Sequence, residues 1–255
     1  MKPDVVVDIG NSRIKWGDCR SGKVGELFAS LAGDNPEEWE AQLHKWELRS
    51  QLTWAVAGVQ PRWQEVFTRW AEARGDRIQA VTHERISIPI EVDEPKAVGI
   101  DRLLNALAAN RMKPTTAQAI VISVGTAVTV DLVLENGSFA GGAIFPGPRL
   151  MAESLHQFTA KLPLVKIEEV DHSPPPGANT QSAIRNGISF AIMGGASLLV
   201  GAMITKRTQN VSTWVFMTGG ALGNMEIFPF DKVERIKFCP NLTLEGIRIA
   251  AESLP

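Results

Sequence analysis

Two stretches decide the reading: VVVDIGNSRIKWG at residues 5–17 and IVISVGTAVTVDL at residues 120–132. Each runs an apolar strand into a glycine with a small polar tip, then returns along a second strand. With the central glycines aligned, Gly10 stands against Gly125, Asn11 against Thr126 and Asp8 against Ser123. In the first turn the glycine lets backbone N–H groups approach an anion, Asn11 and Ser12 add side-chain donors, and Asp8 can hold a hydrated Mg²⁺. Alone, these residues read more plainly as an Asx-type hairpin carrying a stray acid. The second copy, and Thr218-Gly219-Gly220 at the end of a third apolar strand, turn the reading towards a set of phosphate-holding turns. Two such units facing each other would grip a polyphosphate from both sides.

Working outward, residues 35–46 and 61–74 read as helices, each opening near a proline, with Trp39/Trp46 and Trp63/Trp70 each seven apart on one face. Six of the seven tryptophans precede residue 71. Their helical spacing favours core packing over a platform for stacking bases. A helix is expected over 99–112, opening with Gly99-Ile100-Asp101-Arg102, and residues 113–116 read as a linker. The lobe boundary is therefore set there, giving lobes of residues 1–114 and 115–255. The second lobe begins as a meander of strands at 119–123, 129–134 and 138–144, with Asn136-Gly137 as a tight hairpin turn. A proline-rich loop at 172–177, a long apolar helix at 179–206, a strand at 215–217 and a closing helix at 244–253 follow.

The chain has 255 residues, 44% of them hydrophobic and 21% charged, as in ordinary globular proteins. No apolar run of about 18 residues is read that would span a bilayer, and the N-terminal stretch lacks the apolar core of a signal peptide. A cytoplasmic protein without membrane contact is expected. A net charge of −2 gives no electrostatic footprint for nucleic acid. Cys19 and Cys239 lack a partner at zinc-ligand spacing and read as structural.

At the start of the 99–112 helix, Asp101 can accept the proton of an attacking hydroxyl while Arg102 binds a carboxylate or phosphate. Helix capping is the plainer explanation of the same acid. Phosphoryl transfer needs such a pairing of base and positive charge.

The ordered set Asp8-x-Gly10-Asn11-Ser12, Gly99-x-Asp101-Arg102, Gly125-Thr126-Ala127-x-Thr129-x-Asp131, Gly141-Gly142-x-Ile144-x-Pro146-Gly147, Thr159-Ala160-Lys161-Leu162-Pro163, Asn179-Thr180 and Thr218-Gly219-Gly220 resembles the type III pantothenate kinases nearly end to end. The resemblance implies an α/β fold of two ribonuclease-H-like lobes, as in the acetate and sugar kinase, Hsp70 and actin superfamily, with ATP in the cleft. It also implies transfer of the γ-phosphoryl group of ATP to pantothenate. On that resemblance Asp101 is the general base, and Gly99, Asp101, Arg102 and Thr180 contact pantothenate. Asp8 to Lys15, through Gly10, Asn11 and Ser12, form the first phosphate loop, with Asp8 near Mg²⁺. Gly125 and Thr126 touch ATP from the second lobe, and Gly219 and Gly220 lie near the nucleoside. Family members are dimers, and the small-residue helix after Thr180 is the expected interface.

The chain departs from the family at Ser123, where an Asp usually accompanies a monovalent cation, K⁺ or NH₄⁺. A neutral hydroxyl is the weaker ligand for a hard cation. That departure alone supports the alternative of a catalytically impaired homologue with a binding or regulatory role.

Overall fold

The computed structural model describes residues 2–49, 51–167, 169–170, 174–207, 211–222, 230 and 233–253. The chain divides into two compact units, Met1–Met112 with Asn241–Pro255, and Lys113–Pro240.

In the first unit, β1 (Val5–Ile9), β2 (Arg13–Asp18) and β3 (Leu27–Leu31) form an antiparallel meander. Helix α1 (Pro36–Lys45), strand β4 (Thr53–Gly58), helix α2 (Pro61–Ala73), strand β5 (Arg77–Ala80) and helix α3 (Ile100–Met112) follow. The sheet order is β3-β2-β1-β4-β5, with β4 parallel to both β1 and β5. Both helix starts after prolines fall where the sequence puts them, because a proline at the first helical position gives up no hydrogen bond.

One face of this sheet is the tryptophan core. Val7 is in register with Trp16 on β2 and with Val56 on β4, so these side chains share a face. Trp16 is fully buried and meets Phe28, Trp54 and Phe67 edge to face at 5.2 to 5.6 Å between ring centroids. Trp39 and Leu43 of α1 and Phe67 and Ala71 of α2 close the cluster. The indole N–H groups are treated unequally. Trp54 donates to Asp76 over 3.0 Å, whereas those of Trp16 and Trp39 are buried without a hydrogen bond. The tryptophans thus do core work, and the stacking-platform reading falls away.

The second unit repeats the plan. Strands β6 (Ala117–Val124), β7 (Ala127–Val133) and β8 (Phe139–Pro146) form the meander, and helices α4 (Pro148–Gln157) and α5 (Thr180–Arg207) precede β9 (Ser212–Thr218) and β10 (Arg235–Phe238). The order β10-β9-β6-β7-β8 is the first sheet's order, with β9 parallel to β6 and to β10. Its core joins Ile120, Ile122, Val128, Val130, Val215 and Met217 of the sheet to Ile184, Ile188, Ile192, Ala196 and Val200 of α5. Of the proline-rich loop expected at 172–177, residues 172 and 173 lie outside the described residues, and 174–177 form no helix or strand.

Two expectations need correction. The closing helix, α6 (Leu242–Glu252), belongs to the first unit, so the second lobe does not run to residue 255. Glu245 of α6 accepts the Val24 N–H over 2.8 Å, and Gly246 brings α6 so close to the Leu104 carbonyl of α3 that a Cβ there would overlap it. Sequence order suggested the neighbouring lobe, but tertiary packing decided. The other concerns α5, whose residues Thr180–Ile204 are long and apolar enough to cross a membrane, with a mean hydropathy of 1.9 over their most apolar 18 residues. Ser189, Ser197 and interspersed glycines broke that stretch for a search for uninterrupted apolar runs. One side of α5 forms core, as described above.

Candidate functional site

The first candidate turn caps the β1–β2 hairpin. Gly10 N–H donates to the Arg13 carbonyl over 3.0 Å, leaving Asn11 and Ser12 exposed at the tip. Asp8, one residue inside β1, is in register with Lys15 on β2 and Ala57 on β4. Those three side chains therefore leave the sheet on the face opposite the tryptophan core.

Asp101 stands on the first turn of α3, where helix geometry favours an acid. Its carboxylate folds over Gly99, such that a Cβ at position 99 would lie 2.6 Å from Oδ1. A side chain at position 99 would push that carboxylate aside, and Gly99 also begins the helix, its carbonyl accepting the N–H groups of Arg102 and Leu103 at 3.1 and 3.3 Å. The Asp8 carboxyl feels the charge of Asp101. Burial pushes the Asp8 carboxyl up to about 6, Lys15 opposes that rise, and the Asp101 charge adds to it. Asp8, Gly10, Asn11, Ser12, Lys15, Gly99, Asp101 and Arg102 accordingly all belong to the first unit.

The second unit carries the counterpart turn. Gly125 N–H donates to Ala127 over 3.0 Å, and Gly147, just before α4, donates to Thr126 over 3.0 Å. Gly219, at the end of β9 with φ of +108°, crosses Val124 with no room for a Cβ. Only glycine combines that left-handed backbone with that approach. Gly125, Thr126, Gly219 and Gly220 are thereby gathered at one end of the second sheet. Ser123 is in register with Thr129 and Thr218, just as Asp8 is with Lys15 and Ala57. A charged pair in one unit is replaced by a row of hydroxyls in the other. Thr129 is only 8% exposed, and its Oγ1 has no hydrogen-bond partner.

Thr180 is the first residue of α5 and belongs to the second unit. Asn179 caps that helix, its Oδ1 accepting the Ser182 N–H over 2.9 Å while Ser182 Oγ accepts the Asn179 N–H over 3.1 Å. Thr180 sits at an apolar groove of about 700 Å³ between α4 and α5, lined by Met151, Leu155, Phe158, Ile184 and Gly187 among others. Sequence reasoning did not find this groove, because α4 was not read as a helix. The Gly147-Pro148 pair was its available signal.

The described residues contain no cluster of three His, Cys, Asp or Glu side chains able to cage a metal. One carboxylate, raised by burial and by a second carboxylate, nevertheless suits Mg²⁺, which is held by one or two carboxylates with water and phosphate oxygens completing its shell.

A family model described as type III pantothenate kinase matches residues 5–201. A type III pantothenate kinase of Desulfosudis oleivorans is 37% identical, covering 98% of each chain. One from Desulfovibrio desulfuricans is 33% identical over 97% of this chain and 96% of its own. Among solved structures, a conserved putative Baf family transcriptional activator from Campylobacter jejuni matches with a TM-score of 0.58 at 18% identity, covering 97% of each chain. The activator of 2-hydroxyisocaproyl-CoA dehydratase from Clostridium difficile, with bound ADPNP, matches at 0.51 and 14%, over 99% of this chain and 97% of its own. These two establish likeness of fold.

The raised Asp8 carboxyl has a measurable consequence. A folded-state value above the ordinary 3.8 means that ionisation costs stability, fully so above about pH 6 and not at all below about pH 4. Asp8→Asn is expected to raise the unfolding free energy of the metal-free protein at pH 8 by about 2 kcal/mol, with the gain vanishing near pH 4. Urea unfolding at the two pH values measures it, and a variant less stable than the parent at pH 8 would contradict the assignment.

Proposed function

We propose that this chain, which belongs to the type III pantothenate kinase family, uses Asp101 as the base of its reaction. That reaction is the ATP-dependent phosphorylation of pantothenate to 4′-phosphopantothenate, the first step of coenzyme A biosynthesis. Asp101 takes the proton of the primary hydroxyl as its oxygen attacks the γ-phosphorus, and the bond to the bridging oxygen of ADP breaks in line. Arg102 holds a carboxylate or phosphate, and Gly99 and Thr180 contact pantothenate. Gly10, Asn11, Ser12 and Lys15 hold ATP phosphates, with Gly125 and Thr126 serving from the second unit and Gly219 and Gly220 beside the nucleoside. Bound at Asp8, Mg²⁺ would neutralise phosphate charge.

The observation that carries this reading is the placement of Asp101 on the first turn of α3, its carboxylate over Gly99 and its charge reaching the candidate metal carboxylate Asp8. Asp101→Asn is expected to lower kcat by on the order of 10² to 10⁴ without loss of fold. Near-normal turnover, followed by pantothenate-dependent ADP release, would sink it. The same assay on the parent chain separates a working kinase from an impaired regulatory homologue.

The row of Ser123, Thr129 and Thr218 offers hydroxyls where a carboxylate would hold K⁺ or NH₄⁺. Weak dependence on a monovalent cation follows. Turnover in K⁺ relative to Na⁺ should change less in the parent than in Ser123→Asp, and strong, specific K⁺ activation of the parent would contradict this.

Helix α5 supports self-association in a cytoplasmic homodimer. Its outward residues Ala183, Gly187, Phe190, Ala191, Gly194, Leu198, Gly201 and Ala202 are exposed and uncharged. Leu198 is 76% exposed, and apart from the helix's own backbone no atom stands within 4 Å of a Cβ placed on Gly187, Gly194 or Gly201. An uncharged outer face on so long a helix calls for a partner surface. Leu198→Glu should convert the dimer to a monomer in light-scattering chromatography, whereas a monomeric parent at micromolar concentration would refute the interface.

A further inference from the structure

We infer that His83 is a positioning residue for the base, because its ring fastens the peptide carbonyl immediately before Gly99. The inference rests on the reading of Asp101 as base. It adds what holds Asp101 in place.

His83 begins a 3₁₀ turn, His83–Arg85, soon after β5. Its Nε2–H donates to the Val98 carbonyl over 2.7 Å, across fifteen positions of sequence. Between them lie the local turns Arg85 to Thr82, Ile86 to His83, Ile88 to Ile86 and Ala97 to Glu94, and Ile90 forms an isolated β-bridge. Residues 93–97 are exposed, while Ile86, Ile88 and Val98 are buried. This is an Ω-type loop with its ends drawn together. The His83 bond lies across the neck.

That neck sits one residue from the site. Because the peptide unit is planar, holding the Val98 carbonyl also sets the plane that carries the Gly99 nitrogen. Gly99 in turn caps α3 through Arg102 and Leu103, and the Asp101 carboxylate lies against it. A tilt at Val98 is therefore passed to the base with little between to absorb it. The ring itself is only partly buried and stands outside the tryptophan cluster, so truncating it opens no hole in that core. Nε2 carries a hydrogen in one neutral tautomer and in the imidazolium, so protonation leaves the fastening intact.

The test compares His83→Ala, His83→Leu and His83→Gln in the full chain. Removing the donor, with or without the bulk, should lower kcat for pantothenate about 10- to 100-fold, as misplacement of a catalytic group does. The KM for ATP should stay within twofold, and amide hydrogen exchange at Arg102 and Leu103 should speed up. The glutamine amide can donate to the same carbonyl and should restore both readouts. Unchanged kcat and exchange in the alanine and leucine variants would overturn the proposal, as would a loss that glutamine does not restore. His83→Leu keeps the comparison open if the alanine chain does not fold. If Asp101→Asn stays active while exchange at Arg102 and Leu103 still responds to His83, the base assignment falls and the fastening stands.

Discussion

The register of β1 is the constraint on which the rest depends. Pairing Val7 with Trp16 and Val56 commits the odd-numbered side of the strand to the tryptophan core, and so commits Asp8, Lys15 and Ala57 to the opposite face. A slip of one residue would bury the acid among indoles and turn Trp16 out. The cost of burying Asp8 is thus imposed by the same packing that holds the sheet together. Sites of this kind keep a destabilised group because the surrounding core over-determines its place.

The duplicated sheet lets one chain present two turns of the same construction and different chemistry. Parallel pairing of β4 with β1 and of β9 with β6 brings a glycine to the end of each second layer, Gly58 in one unit and Gly219 in the other. Backbone positions are reproduced while side chains diverge, from Asp8 and Lys15 to Ser123 and Thr129. What repeats is a backbone geometry; the charge placed under it differs.

Much of this was legible in the sequence where local signals and tertiary outcome agreed. The hairpins around Gly10 and Gly125, the start of α3 and the span of α5 were all read from glycine, proline and apolar spacing. Strand β4, with Trp54, Ala55, Val56 and Ala57 buried in succession, lacks the alternation that marks a half-buried strand. Strands β3 and β10 are sheet edges with exposed residues, so little apolar patterning marks them. Within the site, Asp8, Gly99 and Asp101 were visible as motifs, but the burial that raises Asp8 and the charge of Asp101 acting on it were not. Nothing in the sequence joins His83 to Val98, because that bond depends on how a loop closes.

The packing of α6 on α3 has a consequence for the order in which this protein comes into being. Residues 113–240 are contiguous and make a unit with its own core, so that unit can fold as it leaves the ribosome. The unit with Asp101 is interrupted, and its helix α6 is synthesised only after the whole of the other. Until then α3 lacks the surface formed by Gly246 and its neighbours, and Val24 lacks Glu245. The half of the molecule that begins first is therefore completed last, and a chain released early would carry its candidate base on a helix without its support.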